Sequence, residues 1–97
     1  MEKIKTPEVD ALFDAILALN TREECYRFFE DALTEKEILD IAQRLKAAKM
    51  LRAGGSYTAV CAATGMSTAT ISRVSKALDH GAGGYHLILD RVEAADA

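Results

Sequence analysis

Residues 56–78, SYTAVCAATGMSTATISRVSKAL, decide how this chain folds. They read as two short helices joined by a tight turn. Ser56 is a suitable N-cap for a first helix over about residues 57–63, and Ser67 for a second over about 68–78, because a serine hydroxyl accepts an otherwise orphaned backbone N–H. Gly65 falls where the first helix must stop, and glycine adopts positive φ there without a Cβ clash. Val60, Cys61, Met66, Ile71, Val74 and Leu78 can close into one wedge-shaped core. This is the helix-turn-helix pattern, whose second helix can lie in the major groove of DNA.

The outer face of the second helix suits that role. Ser67, Thr68, Ala69, Thr70, Ser72, Arg73 and Lys76 are small, hydroxylic or basic. Small residues at a helix start admit close approach to base edges. Threonine can meet a thymine methyl or an exposed acceptor, and Arg and Lys can pair with guanine or phosphate. The same residues would also make the solvated face of an ordinary helical hairpin, so the charge distribution has to decide between the two.

The net charge of −3 first argues against a nucleic-acid partner, but the charge is segregated. Residues 1–40 carry five basic and eleven acidic side chains. Residues 41–78 carry Arg44, Lys46, Lys49, Arg52, Arg73 and Lys76 and no acid. Residues 79–97 hold Arg91 against Asp79, Asp90, Glu93 and Asp96. Counter-ion release depends on local phosphate contacts, not on the chain total. Lys49 and Arg52, just before the hinge, join the second helix as candidate DNA contacts.

At 97 residues the chain is expected to be a single domain, 1–97, with residues 1–6 and 93–97 flexible. A chain this short buries a modest share of its surface, so dimerisation would help it. The single proline, Pro7, and the lack of alternating β-branched runs predict an all-α protein. Thr6 caps a first helix with Pro7 at its start, and Val9, Leu12, Phe13, Ile16 and Leu17 form an amphipathic stripe ending near Asn20. Capping boxes at 21–24 and 34–37 open two more helices. The second of these runs to about Arg52, with Ile38, Ile41, Ala42, Leu45 and Ala48 as its core stripe. After the glycine-rich turn DHGAGG (79–84), a last helix over about 85–92 is expected to bury Leu87, Ile88 and Val92.

No constellation supports catalysis. His80 and His86 lack the spacing of a helical metal pair, and nothing completes four ligands, so no metal site is expected. Cys25 and Cys61 read as reduced core thiols. Without an apolar run long enough to span a bilayer or a signal-like start, the expected location is the cytoplasm, with no membrane partner.

The segment from Leu33 to Leu78 resembles the Trp repressor, and more closely its YerC/YecD-type bacterial relatives. The match rests on LTEKE (33–37), Arg44, Leu51-Arg52 before Gly54, and TGMSTATISRVSKAL (64–78), with ATISR (69–73) the most specific part. The glycine-rich turn followed by Tyr85 adds to it. The resemblance implies a six-helix, intertwined homodimer with interlocking N-terminal helices, and a transcriptional regulator, typically a repressor, that binds double-stranded operator DNA through one reading head per subunit. The competing reading is a helix-turn-helix interaction module that holds another protein and never touches DNA.

The resemblance also implies an effector pocket. It maps the pocket's arginines onto Arg44 and Arg73 and its threonines onto Thr34 and Thr70. It places a glycine where Val74 stands and a serine where Ala77 stands. Valine is stiff and would occupy the space of a flat indole, and alanine forfeits a hydrogen bond. Val74 and Ala77 are therefore expected to fill the pocket, leaving no tryptophan corepressor, no other cofactor, and at most a smaller effector.

Overall fold

The computed structural model describes residues 2–96. After a 3-10 turn at Glu2–Ile4, the regular elements are α1 (Pro7–Leu17), α2 (Arg22–Ala32), α3 (Glu35–Arg52), α4 (Tyr57–Thr64), α5 (Thr68–His80) and α6 (Gly84–Asp96). The described residues contain no strand. The chain divides into two units, with the boundary after Ile38, inside α3.

The first unit shows how sequence sets helix starts. Thr6 Oγ1 accepts the Val9 N–H, and Pro7 occupies the first helical position. Thr21 Oγ1 accepts the Glu24 N–H, but the Glu24 carboxylate takes the N–H of Asn20 rather than that of Thr21. The box at Thr34 is complete: Glu37 N–H donates to Thr34 Oγ1, and Glu37 Oε1 accepts both the Thr34 N–H and its hydroxyl. Neither α1 nor α2 has a buried residue. Phe28 and Phe29 pack edge to face at 5.3 Å, yet Phe13 is 50 % and Leu17 81 % exposed.

The second unit has a sealed core. Ala47 and Ala48 of α3, Val60 of α4, Ile71 and Val74 of α5 and Leu89 of α6 are buried, with Met50, Leu51, Cys61, Met66, Leu78 and Tyr85 packed around them. The wedge expected from 56–78 is therefore present. Of the stripes expected on the flanking helices, only Ala48 of α3 is sealed. On α3, Ile41 and Leu45 are exposed while the two alanines are sealed, because a methyl group lets a neighbouring helix approach closely. On α6, Leu87, Ile88 and Val92 are exposed, and Tyr85 and Leu89, one turn apart, face inward. The last helix also continues through residues 93–96, where a tail was expected; Met1 and Ala97 lie outside the described residues.

Candidate nucleic-acid interface

Four local devices build the hinge. Ser56 Oγ accepts the Ala59 N–H and opens α4. Gly65 ends it at φ 71°, a conformation that favours glycine, and gives its N–H to Cys61 O. Thr64, to which the sequence assigns no role, pins the turn: its hydroxyl donates to Val60 O at 2.7 Å and accepts the Met66 N–H at 3.2 Å. Ser67 Oγ then accepts the Thr70 N–H and lies 3.0 Å from Thr70 Oγ1. Lys46 of α3 donates to Ala63 O at 3.2 Å, satisfying one of the carbonyls that the end of α4 leaves open.

With Ile71 and Val74 buried and Leu78 packed against the core, α5 turns its opposite face outward. Ser67, Thr68, Ala69, Ser72, Arg73 and Lys76 are exposed, and Thr70 is half-buried. Lys49 is exposed on α3. Lys49, Arg73 and Lys76 make no ion pair among the described residues. The expected DNA contacts are therefore open to solvent, Thr70 in part, and Arg52 alone among them is tied to another helix. Its guanidinium hydrogen-bonds Asp90 and His86 O of α6, with Glu93 Oε2 3.9 Å away. The Asp90 hydrogen bond, with the nearby carboxylates, outweighs desolvation and raises Arg52 above its ordinary pKa, so it stays charged. The sequence does not reveal this tie because Asp90 lies 38 positions away and falls outside the basic stretch.

Beside α5 lies a cavity of about 230 Å³ lined by Arg44, Thr70, Arg73, Val74, Ala77 and Tyr85. Val74 and Ala77 thus form its wall and do not fill it, contrary to the expectation from their size: Val74 turns most of its surface to the core, being 3 % exposed. Tyr85 also lines it, a role that its place after the glycine-rich turn does not announce. Thr34, also mapped to the pocket, belongs to the other unit, where its hydroxyl is committed to the capping box. No group of three or more potential metal ligands occurs among the described residues, and no described helix is long and apolar enough to cross a membrane.

A capped first helix, a glycine turn and a second helix with one face sealed and the other in water define a helix-turn-helix domain. Residues 7–93 match the Trp repressor protein family, and the chain belongs to that family of DNA-binding regulators. It is 48 % identical over 96 residues to the uncharacterized protein YerC of Bacillus subtilis (strain 168), covering 99 % of this chain and 92 % of YerC. A TrpR-like protein from Eubacterium eligens superposes with a TM-score of 0.93 at 46 % identity, over 96 % of both chains. A putative Trp repressor from Staphylococcus aureus superposes at 0.91 with 49 % identity, over 95 % of this chain and 92 % of that one. The expected all-helical, Trp repressor-like fold and the YerC resemblance are borne out.

Proposed function

We propose that this protein is a homodimeric transcriptional regulator, a repressor, that reads operator DNA with α5. One observation carries this reading. Ile71 and Val74 anchor α5 while Thr68, Ala69, Ser72, Arg73 and Lys76 stand in solvent. In this reading Thr68 and Thr70 meet base edges, and Arg73, Lys76 and Lys49 meet phosphate or guanine. Arg52, already engaged by α6, belongs to the scaffold. Selecting bound fragments from a genomic DNA pool tests the proposal and would supply the operator. Two heads of a dimer would read half-sites about 34–36 Å apart.

The dimer is supported by apolar surface that this chain leaves wet. Leu12, Phe13 and Leu17 on α1, Ile41 and Leu45 on α3, and Leu87, Ile88 and Val92 on α6 are all exposed. Burying one such side chain is worth about 1.5–3 kcal/mol. A second copy can supply the cover, and sedimentation measures it.

The cavity beside α5 is proposed not to serve tryptophan as a corepressor, because a branched side chain in its wall replaces the glycine that the resemblance places there, and to hold at most a small anion. Arg44 and Arg73 supply positive charge, and Arg44 can hold a carboxylate in bidentate fashion. The β-branched Val74 stands where the family resemblance places glycine, against the face of the indole. Localisation in the cytoplasm accords with a DNA partner and is part of the same proposal.

A further inference from the structure

Three helices, α3, α5 and α6, meet at a polar knot. Arg52 is the last residue of α3. Its Nη1 donates to His86 O at 3.2 Å, and its Nη2 donates to Asp90 Oδ1. Glu93 Oε2 stands 3.9 Å from the same nitrogen. His86, Asp90 and Glu93 are spaced i, i+4 and i+7, so they form one stripe of α6. The His86 ring reaches in the other direction, with Nε2 2.9 Å from Leu78 O in the last turn of α5. That carbonyl is one of those a helix end cannot satisfy internally. The neighbouring Gly81 N–H goes to Ala77 O, and no backbone N–H reaches Leu78 O among the described residues. A carbonyl only accepts, so His86 Nε2 carries the proton and donates.

We propose that Arg52 and His86 are positioning residues for the DNA-reading helix. Arg52 fixes α6 to the end of α3, and α6, through His86, caps and orients the far end of α5. The inference rests on α5 being the reading element. An isolated exposed ion pair would carry little. Here one planar fork meets a carboxylate and a backbone carbonyl with a second carboxylate nearby, and the same helix supplies the cap to α5. Ser67 holds the start of α5 and His86 its end. The pitch of α5 is then set by the protein itself, with no ligand needed to establish it. Arg52 affects DNA binding through α6 and not by touching phosphate.

The decisive variant is Asp90→Ala with Glu93→Ala. Both residues are exposed. Removing two acids should tighten DNA binding if charge alone mattered. Positioning predicts the reverse for operator DNA: about three- to tenfold weaker affinity, with random-sequence duplex held as well as before or better. His86→Ala should give a similar loss of specificity with an unchanged salt slope, since every phosphate partner stays in place. His86→Gln can place an amide N–H near the same carbonyl and should restore most of the loss. If the double variant fails to fold, by circular dichroism and sedimentation, the His86 pair decides. Operator affinity unchanged or tightened in the folded double variant, or His86→Gln no better than His86→Ala, overturns the positioning role. A wild-type chain that selects no DNA fragment overturns the DNA reading itself, an outcome separate from wild-type binding with indifferent variants.

Discussion

Helices α1 and α5 are both amphipathic, and their apolar faces meet opposite fates. The face of α5 is sealed: Ile71 and Val74 pack with Val60, Ala47, Ala48 and Leu89. The face of α1 is open, with Phe13 half exposed and Leu17 more so. Apolar periodicity measures how much surface a helix must hide, and says nothing of where the cover comes from. For α5 the cover is supplied within its own unit, so that unit can present a fixed outer face. For α1 the cover is the proposed second subunit. In the proposed function the two regions divide the labour between reading and assembly.

That division can be broken most severely at α1. Deleting residues 1–20 should convert the dimer to monomer or aggregate in sedimentation; a folded, dimeric truncation would place the interface elsewhere. The matching lesion on the other side is Ile71→Ala. It should cost about 2–5 kcal/mol in denaturant unfolding, through reduced burial and a residual cavity. A loss below about 1 kcal/mol, smaller than such core truncations give, would mean that the second unit does not carry its own core.

Smaller effects sharpen the comparison within α5. Arg73→Ala and Lys76→Ala should each weaken binding across DNA sequences and lower the salt slope by about one for each phosphate no longer neutralised, with no change in fold. Thr68→Ala and Thr70→Ala should instead shift sequence preference, by about 1–3 kcal/mol per altered base contact, measured by competition among operator variants. For Thr70 some of the change will come from its contact with Ser67 Oγ. The smallest signal concerns the cavity: L-tryptophan at millimolar concentration should give no heat of binding in titration calorimetry. Saturable micromolar binding, abolished in Arg44→Ala, would restore tryptophan as the corepressor.

How much of the fold and site is legible in the sequence differs by region for a physical reason. In the hinge, caps, turn glycine and apolar residues lie within 23 consecutive positions, 56–78, and each constrains the next. Ser56, Gly65 and Ser67 accordingly hold the roles their chemistry suggests. On α3 and α6 the large apolar side chains dominate the periodicity, yet most of them are not the residues that seal the core. Ala48 lies on the expected stripe, but Ala47 does not, and it is buried because it is small, a signal periodicity weighs lightly. Leu89 is sealed while Leu87 and Ile88 are not, since all three are equally apolar and only packing against Tyr85 and α5 distinguishes them. The basic stretch reads as one patch, yet Lys46 and Arg52 are committed to Ala63 O and to α6. Charge count along a chain cannot separate a scaffold cation from a phosphate-facing one.

The central claim, that α5 reads DNA, is tested most directly by binding of the full-length protein to its selected duplex across a salt series, beside the Arg73→Ala, Lys76→Ala double variant. If roughly six phosphates are neutralised per dimer, wild-type affinity should fall by about 10³ between 50 and 200 mM salt, and the variant should be weaker with a shallower slope. Affinity that ignores salt, or a folded variant that binds as the wild type does, would contradict the account and favour a helix-turn-helix that holds another protein.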